Sequence, residues 1–314
     1  MDKISVVVPC FNEEDVIELF YHEISKVMDK MNEVCFEIIF VDDGSYDKSL
    51  KIMKKLNEMD KRVRFISFSR NFGKEAAIYA GLSEATGDYI TLMDVDLQDP
   101  PKMLIKMYQT IKAHDVDSVG LKADNYDSYN VVRKALTKLY YAILTKISKV
   151  EMVIGARDFR LMSRRMVKAV LSMKEYNRYS KGLFNFVGFD TIWLTYKIPK
   201  RAKGETKWNF FKLFAYAMDA IIGFSTGPLM LATIFGLLLC LLSGIAFVVI
   251  LIKKMAVIGY AARWPSTFCI MFFLSGIQLF SIGISAIYLS KTYTEVKRRP
   301  LYIIKEVSEE SCDE

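Results

Sequence analysis

Short apolar runs rich in β-branched residues alternate with segments of helical periodicity in the N-terminal part of the chain. The apolar runs predict strands, at Ile4 to Val8, Phe36 to Val41, Arg64 to Phe68 and Tyr89 to Met93. The segments between them predict helices, at about Glu13 to Asn32, Tyr46 to Asp60, Lys74 to Ala85 and Pro101 to His114. Strands and helices in alternation are typical of an α/β fold with a mainly parallel sheet.

Two long uncharged segments occur near the C-terminal end. Neither Ala220 to Ile252 nor Trp264 to Ser290 contains Asp, Glu, Lys or Arg. Each exceeds the roughly 20 residues that cross the hydrocarbon core of a bilayer, whereas an apolar stretch of ~14 residues or fewer is typical of a buried soluble helix. We therefore predict two transmembrane helices within residues 226–290, with buried soluble helices as the alternative.

Basic residues around these segments bear on their orientation. The loop of residues 253–263 carries Lys253, Lys254 and Arg263, and a larger basic group follows the second segment, at Lys291, Lys297, Arg298, Arg299 and Lys305. This asymmetry favours both chain ends on the cytoplasmic side. The N-terminus begins with a strand-like run and has no cleavable signal, which agrees with a cytoplasmic N-terminal domain. The net charge of +7 suits an anionic membrane surface, or simply a solvated basic face.

The cysteines show no pattern typical of disulfides or zinc sites. There are five, without paired spacing, at Cys10, Cys35, Cys240, Cys269 and Cys312. Two of them lie inside the uncharged segments. We therefore expect reduced thiols and no zinc site.

Carboxylates follow the predicted strands at the points where ligands bind in such sheets, beyond the strands' carboxyl ends. The fourth strand runs into Asp94-Val95-Asp96-Leu97-Gln98. Two carboxylates at positions i and i+2 after a strand can share a divalent cation, and their hard oxygen atoms suit Mg²⁺ or Mn²⁺. Asp94 and Asp96 are thus candidate metal ligands.

The second strand runs into Asp42-Asp43-Gly44-Ser45, for which two interpretations stay open. A carboxylate here can accept hydrogen bonds from a nucleotide base or ribose. Alternatively, Ser45 or Asp43 caps the helix predicted to begin near Tyr46.

Seven ordered sequence blocks together resemble one family over nearly the whole chain. They are Val7 to Glu14, Val41 to Ser45, Ser69 to Lys74, Asp94 to Pro101, Asp158 to Met162, Arg201 with Gly204 to Trp208, and Val296 to Tyr302. The set resembles the inverting family-two glycosyltransferases with the GT-A fold. Within them it is similar to the polyprenyl-phosphate glycosyltransferases related to bactoprenol glucosyltransferase and dolichol-phosphate mannose synthase.

This resemblance implies roles for particular residues. The nucleotide pocket would be lined by Pro9, Phe11, Glu13 and Asp42. Asp94 and Asp96 would hold the donor diphosphate through the metal, with Asp96 the direct ligand, and Val95 would also contact the donor. Gln98 would help to position the donor, and Lys74 corresponds to a position near it.

The resemblance leaves the role of Asp158 open. In related enzymes with hydroxyl acceptors, an aspartate near this place acts as the general base. A phosphate monoester, whose last pKa is near 6, is already an anionic nucleophile, so Asp158 is expected to orient the acceptor or the sugar rather than take a proton. The simpler interpretation is a helix N-cap or a salt bridge with Arg160.

Arg201 and Lys207 bracket Gly204 and precede an amphipathic, aromatic stretch, residues 208–216. Such a stretch suits a membrane interface. The resemblance makes the two cations a binding site for the acceptor or donor phosphate. The alternative is surface charge attracted to anionic lipid.

The domain organisation that follows is a GT-A catalytic domain at 1–205, an interfacial helix at 206–225, two transmembrane helices at 226–290 and a cytoplasmic tail at 291–314. The expected reaction moves a hexose from a nucleotide sugar to undecaprenyl or dolichyl phosphate; a UDP-sugar is the favoured donor, and GDP-mannose stays open. Nucleic acid is not an expected partner, and the oligomeric state stays open, a homo-oligomer included.

Three other functions are weighed against this one. A processive polysaccharide synthase would need a product channel and a Gln-x-x-Arg-Trp motif, and the sequence has neither. The intact carboxylates at the strand ends argue against a non-catalytic membrane scaffold. Two spans are few for a lipid-carrier flippase.

Overall fold

The computed structural model describes residues 1–123, 153, 155–196, 222, 225–256 and 264–308. The chain divides into two units. The first comprises Met1–Ala217 together with Arg299–Glu314, and the second comprises Met218–Arg298. The predicted interfacial helix of residues 206–225 lies, apart from 222 and 225, outside the described residues.

The first unit is built on one sheet with helices on both faces. Its strands are β1 (Asp2–Cys10), β2 (Val34–Asp42), β3 (Val63–Phe68), β4 (Tyr89–Leu92), β5 (Ser118–Ala123), β6 (Ala156–Ser163), β7 (Thr191–Tyr196) and β8 (Ile304–Val307). Its helices are α1 (Ile17–Met28), α2 (Ser49–Met59), α3 (Lys74–Glu84), α4 (Met103–His114), α5 (Arg164–Ser172) and α6 (Ser180–Phe186). The four strands and four helices predicted from periodicity are therefore confirmed, with ends that differ by a few residues.

The sheet has the strand order β7-β5-β6-β4-β1-β2-β3-β8. The central pairs β1–β2, β1–β4 and β2–β3 are parallel, as is β5–β7. The pairs β4–β6, β5–β6 and β3–β8 are antiparallel. The sheet is thus mixed and mostly parallel, which confirms the α/β prediction.

Both faces of the central strands are buried. Val6 and Val8 of β1 pack into the core on one face with α1 and α4, whereas Val7 packs into the core on the other face with α3. A strand covered on both sides reads as an unbroken apolar run rather than an alternating one. This explains why Val6 to Val8 predicts a strand without showing a polar face.

The C-terminal tail forms an edge strand of the first unit. β8 pairs antiparallel with β3, and the Ser69 amide donates to the Ile303 carbonyl oxygen at 2.9 Å. The Tyr302 ring stacks on Phe68 with ring centres 4.9 Å apart. The sequence predicted only a cytoplasmic tail here. β8 has only four residues and its partner β3 is far away in the sequence, so no local pattern marks it as a strand.

Replacing Tyr302 by Ala is expected to destabilise the first unit by about 2 kcal/mol, because the change removes a stacked, half-buried ring. That corresponds to a fall of roughly 4–8 °C in thermal midpoint for a domain of this size. Tyr302→Phe keeps the ring and serves as the control, measured by thermal unfolding in detergent micelles. Equal midpoints for the Ala and Phe variants would show that the stacking contributes nothing.

The second unit contains two long helices, α7 (Gly227–Ala256) and α8 (Trp264–Val296). In α8, the stretch Ile270–Val296 is long and apolar enough to cross a membrane, by length and composition. Most of its large side chains are exposed, for example Phe272 by 76% and Leu279 by 70%. In α7, the corresponding apolar stretch among the described residues is the shorter Gly227–Ser243. Within the described residues, one candidate span is therefore found where the sequence predicted two, and the second stays a prediction.

Candidate active site

The loops that follow β1, β2, β3 and β4 meet around a cavity of about 460 Å³ at the carboxyl edge of the sheet. Parallel strands end at the same edge, so their following loops converge. The cavity is lined by Pro9, Cys10, Phe11, Glu13, Asp43, Asn71, Gly73, Lys74, Ala77, Asp94, Val95 and Asp96. Seven of the residues predicted from the sequence are thus brought together, namely Pro9, Phe11, Glu13, Lys74, Asp94, Val95 and Asp96.

The loop after β1 is fixed to the loop after β2 by reciprocal hydrogen bonds. The Asn12 amide donates to Ser45 Oγ at 2.9 Å, and the Tyr46 amide donates to Asn12 Oδ1 at 2.9 Å. Asn12 has a φ of 53°, a left-handed conformation that Asn tolerates better than most residues. This turn presents Phe11 to the cavity, where its ring meets the exposed Tyr46 edge-to-face at 6.3 Å.

The two adjacent aspartates after β2 have different places. Asp42 is 1% exposed and accepts hydrogen bonds from the Ser45 amide at 3.0 Å and the Ser67 hydroxyl at 2.7 Å. It is absent from the lining set that the described residues form, so its contact with a nucleotide stays a prediction. Asp43 does line the cavity and accepts from the backbone amides of Phe72, at 2.6 Å, and Gly73, at 2.9 Å.

The capping interpretation of this segment is wrong. Helix α2 begins at Ser49, after an N-cap residue, Lys48, whose side chain makes no capping hydrogen bond. Ser45 and Asp43 instead join the loops after β1 and β3 to the loop after β2. Their side chains therefore shape the cavity rather than the helix.

Burial raises the pKa of Asp43 to about 6, although two backbone amides favour its ionised form. The folded protein therefore holds a proton on Asp43 between pH 4 and 6 that the unfolded chain has released. The contribution of Asp43 to the free energy of unfolding is therefore fully present below pH 4 and is lost as the pH rises through 6. The cost of ionising it in the folded state is up to about 3 kcal/mol.

Asp43→Asn removes this titration while keeping an oxygen that can accept from the Phe72 and Gly73 amides. We expect the variant to gain stability relative to the wild type as the pH rises from 4 to 7. The measurement is the difference in thermal midpoint between the two proteins at several pH values. A difference that does not change with pH would contradict the raised pKa.

Asp94 and Asp96 leave β4 side by side at the cavity. Asp94 Oδ1 lies 2.7 Å from the Lys74 ammonium, and Asp96 Oδ1 accepts from the Gln98 amide at 3.1 Å. Leu97, between Asp96 and Gln98, has a φ of 57°, a left-handed conformation that costs a non-glycine residue roughly 1–2 kcal/mol. The strained turn brings the Gln98 amide back onto Asp96.

This pair fits a divalent cation that is shared with a substrate. The ligand atoms are hard carboxylate oxygens, which suit Mg²⁺ or Mn²⁺. Among the described residues, no group of three or more His, Cys, Asp or Glu side chains could hold a metal ion. Substrate phosphates and water would have to complete the coordination, as is usual for Mg²⁺.

Gln98 and its neighbour Asp99 turn towards β6 and β7. Arg157 donates to Gln98 Oε1 at 3.3 Å and to Asp99 Oδ1 at 2.9 Å, and the Tyr196 hydroxyl also donates to Asp99. Burial raises the pKa of Asp99, although Arg157 opposes this. The described residues that line the cavity do not include Gln98, so its part in positioning a donor stays a prediction.

Asp158 on β6 is joined to the cavity through Lys74. The Lys74 ammonium lies 2.8 Å from Asp158 Oδ2, and the Lys181 ammonium lies 3.7 Å from Asp158 Oδ1. Burial by itself would raise the pKa of Asp158, but Lys181 and Lys74 together hold it well below its usual range. Asp158 is therefore ionised at neutral pH and is a weak proton acceptor.

The predicted alternative of an ion pair with Arg160 is not what forms. The buried Arg160 guanidinium lies between two aromatic rings, 4.8 Å from the centre of Phe184 and 5.1 Å from that of Trp193. Asp158 pairs with the two lysines instead.

Sequence reasoning missed several residues that the fold places here. Cys10, Asp43, Asn71, Gly73 and Ala77 also line the cavity. Asn71 and Gly73 follow β3, so the strand-end rule that identified the other loops would have found them. No sequence signal marked Lys181. Arg201 and Lys207 lie outside the described residues, and their phosphate-binding role stays a prediction.

Comparison with known proteins agrees with this geometry. Residues 5–171 match the model of glycosyl transferase family 2. The chain is 38% identical over 308 residues to a prophage bactoprenol glucosyl transferase homolog of Escherichia coli (strain K12), covering 97% of this chain and 99% of that protein. It is 36% identical over 304 residues to an SfII prophage-derived bactoprenol glucosyl transferase of Shigella flexneri, covering 96% and 97%.

Among solved structures, glucosyl-3-phosphoglycerate synthase from Mycobacterium tuberculosis, in complex with Mn²⁺, UDP-glucose and phosphoglyceric acid, is 20% identical, with a TM-score of 0.46. That match covers 70% of this chain and 78% of the synthase. The two bactoprenol relatives are the stronger findings, since they are 38% and 36% identical and extend over nearly the whole chain, and the family match covers more than half of it. The chain therefore belongs to glycosyl transferase family 2, and its mixed, mostly parallel α/β domain is the GT-A domain of a glycosyltransferase.

Proposed function

We propose that the protein transfers a hexose from a nucleotide sugar, most readily a UDP-sugar, to a polyprenyl phosphate at the cytoplasmic face of a membrane, with inversion at the anomeric carbon. The product would be a lipid-linked sugar for cell-envelope or glycan modification. The observation that carries the proposal is the cavity lined by Asp94, Asp96 and Lys74, in which the Lys74 ammonium joins Asp94 to Asp158. The bactoprenol glucosyl transferases among its relatives support the lipid acceptor.

The donor would bind with its base beside Phe11 and its diphosphate beside Asp94 and Asp96. Those two carboxylates would hold Mg²⁺ or Mn²⁺ against the diphosphate, and the cation would stabilise the charge that develops on the departing nucleoside diphosphate. Asp96 is the residue that we propose as the direct ligand. Lys74 contributes a positive charge next to Asp94 Oδ1.

The acceptor phosphate needs no base at neutral pH, since its last pKa is near 6. Asp158 is held ionised by two ammonium groups and is a weak proton acceptor. We therefore assign it to orienting the acceptor or the sugar, with the lipid phosphate attacking from the side opposite the leaving group.

The membrane attachment of this enzyme would come from the second unit. Ile270–Val296 is the candidate span that supports it. We propose a second span in α7 and an interfacial helix before it, with Arg201 and Lys207 binding the acceptor phosphate. Undecaprenyl phosphate is the expected acceptor in a bacterial source and dolichyl phosphate otherwise.

The test gives membranes that carry the protein each of four labelled donors, UDP-glucose, UDP-N-acetylglucosamine, UDP-galactose and GDP-mannose, with undecaprenyl or dolichyl phosphate and Mg²⁺ or Mn²⁺. We expect label from one donor to enter the organic phase. Membranes that carry the Asp96→Asn variant are the matched control and should transfer none. A wild type that labels no lipid with any donor would refute the proposal.

A further inference from the structure

Lys181 lies in the first turn of α6, outside every motif that the sequence presents. Its ammonium is 3.7 Å from Asp158 Oδ1, while the Lys74 ammonium is 2.8 Å from the other oxygen, Oδ2. The Lys181 side chain is 32% exposed and that of Asp158 is 20% exposed. One carboxylate is thus held on both oxygens by cations from two different helices.

The start of α6 is fixed to the start of α3. Glu75 Oε2 accepts from the Ser180 amide at 2.9 Å and also from the Ser180 hydroxyl. Glu75 follows Lys74 in sequence, and Ser180 precedes Lys181, so this contact sets both lysines around Asp158. Further along α6, Phe184 is buried in the core, which anchors the other end of the helix.

The two lysines differ in what else they contact. Lys74 is shared, since its ammonium also lies 2.7 Å from Asp94 Oδ1. A donor diphosphate that arrives with its cation at Asp94 would compete for the Lys74 ammonium, because phosphate oxygens accept strong, charge-assisted hydrogen bonds. Lys181 has Asp158 as its ion-pair partner among the described residues and would stay on it.

We propose that Lys181 is a positioning residue for sugar transfer, which keeps the Asp158 carboxylate in one orientation while the donor occupies the cavity. This inference rests on the proposed function, since it assumes that Asp158 orients a substrate. The alternative is an ordinary, partly exposed salt bridge, which contributes only about 0–1 kcal/mol to stability and nothing to turnover.

The experiment compares Lys181→Met, which keeps the length of the side chain and removes its charge, with Lys181→Arg, which keeps the charge. Lys168→Met, on the exposed face of α5, is the matched control. Initial rates in detergent micelles are measured against donor and against acceptor concentration. We expect Lys181→Met to lower kcat by roughly 10- to 100-fold, since a misplaced group costs on that order. Both KM values should change little, Lys181→Arg should recover most of the rate, and the thermal midpoints should match.

A double-mutant cycle with Asp158→Asn tests whether Lys181 acts through Asp158. We expect Lys181→Met to cause no further loss in the Asp158→Asn background, because groups that act as a unit are not additive. Full additivity would overturn the inference, as would a wild-type kcat in Lys181→Met. A raised acceptor KM with unchanged kcat would also overturn it, and would make Lys181 an acceptor ligand.

Failure of the proposed function would look different. A wild type that transfers no sugar to polyprenyl phosphate refutes that function and says nothing about whether Lys181 acts through Asp158. The same cycle then tests the inference through release of nucleoside diphosphate from the donor in water. Additivity in that assay would overturn it.

Discussion

Asp96→Asn is expected to abolish sugar transfer while the protein stays folded and bound to the membrane. The change removes a negative charge that would hold the cation against the donor diphosphate, and it keeps an oxygen that can accept from the Gln98 amide. Loss of one group that stabilises charge in a transition state typically costs about 10²- to 10³-fold in rate. The measurement is incorporation of labelled sugar into the organic phase, with Mg²⁺ or Mn²⁺ supplied.

The matched control is Asp29→Asn, which makes the same chemical change at an exposed position after α1 and should keep full activity. Thermal unfolding of both variants shows whether the fold survives. Near-normal turnover of Asp96→Asn with Mn²⁺, or a wild type that stays active in excess chelator, would remove Asp96 from the metal site.

The second large effect concerns Asp158. Asp158→Asn is expected to lower turnover by about 10²-fold, on the scale of a lost orienting contact, without changing the shape of the pH–rate profile. Because Lys181 and Lys74 hold the pKa of Asp158 well below its usual range, its ionisation is complete well below pH 6. A rate increase near pH 6 then comes from a group other than Asp158, either the acceptor phosphate, whose last pKa lies there, or Asp43 at the cavity wall, whose pKa is raised to about 6.

The pH–rate profiles of the wild type and Asp158→Asn, measured from pH 5 to 8 at saturating donor, distinguish an orienting role of Asp158 from a general-base role. Both proteins should show the limb near pH 6 if Asp158 orients a substrate. A limb that is present in the wild type and missing from Asp158→Asn would make Asp158 the general base. It would also contradict the low pKa that its two lysine partners give Asp158.

The contacts of Lys74 predict a further effect of Asp158→Asn, on the concentration of metal that the enzyme needs. Lys74 bridges Asp94 and Asp158, with its ammonium within 2.8 Å of both. Loss of the Asp158 charge leaves Lys74 paired with Asp94, which would strengthen its competition with a cation. We therefore expect Asp158→Asn to need more Mg²⁺ or Mn²⁺ for half-maximal activity, a shift that metal titration measures directly.

Much of the fold could be predicted from the sequence because its central elements carry strong local signals. The runs ending at Val8, Val41, Phe68 and Met93 are mostly apolar, and a parallel strand buried on both faces reads that way. The strand-end rule then placed Asp94 and Asp96 at the ligand edge, where the cavity lies. These signals depend on residues close together in the sequence, so they can be recognised without knowing which elements pack against each other.

Side-chain partners could not be predicted in the same way. Asp42 and Asp43 are adjacent carboxylates, yet Asp42 accepts from the Ser67 hydroxyl and is not part of the cavity lining that the described residues form, whereas Asp43 accepts from the Phe72 and Gly73 amides at the cavity wall. The predicted helix cap at this segment failed for the same reason. Hydrogen bonds from other loops competed for those side chains, and α2 begins later as a result.

The sequence by itself determined the fold class, the ligand edge of the sheet, the candidate metal ligands and the apolar character of the C-terminal segments, because each depends on residue type and short-range spacing. Only the tertiary structure decided that Tyr302 stacks on Phe68 and that the tail adds β8 to the sheet. It also decided that Lys74 and Lys181 converge on Asp158. Those contacts join residues far apart in the chain, and a buried charge selects its partner by distance in space, which no sequence interval encodes.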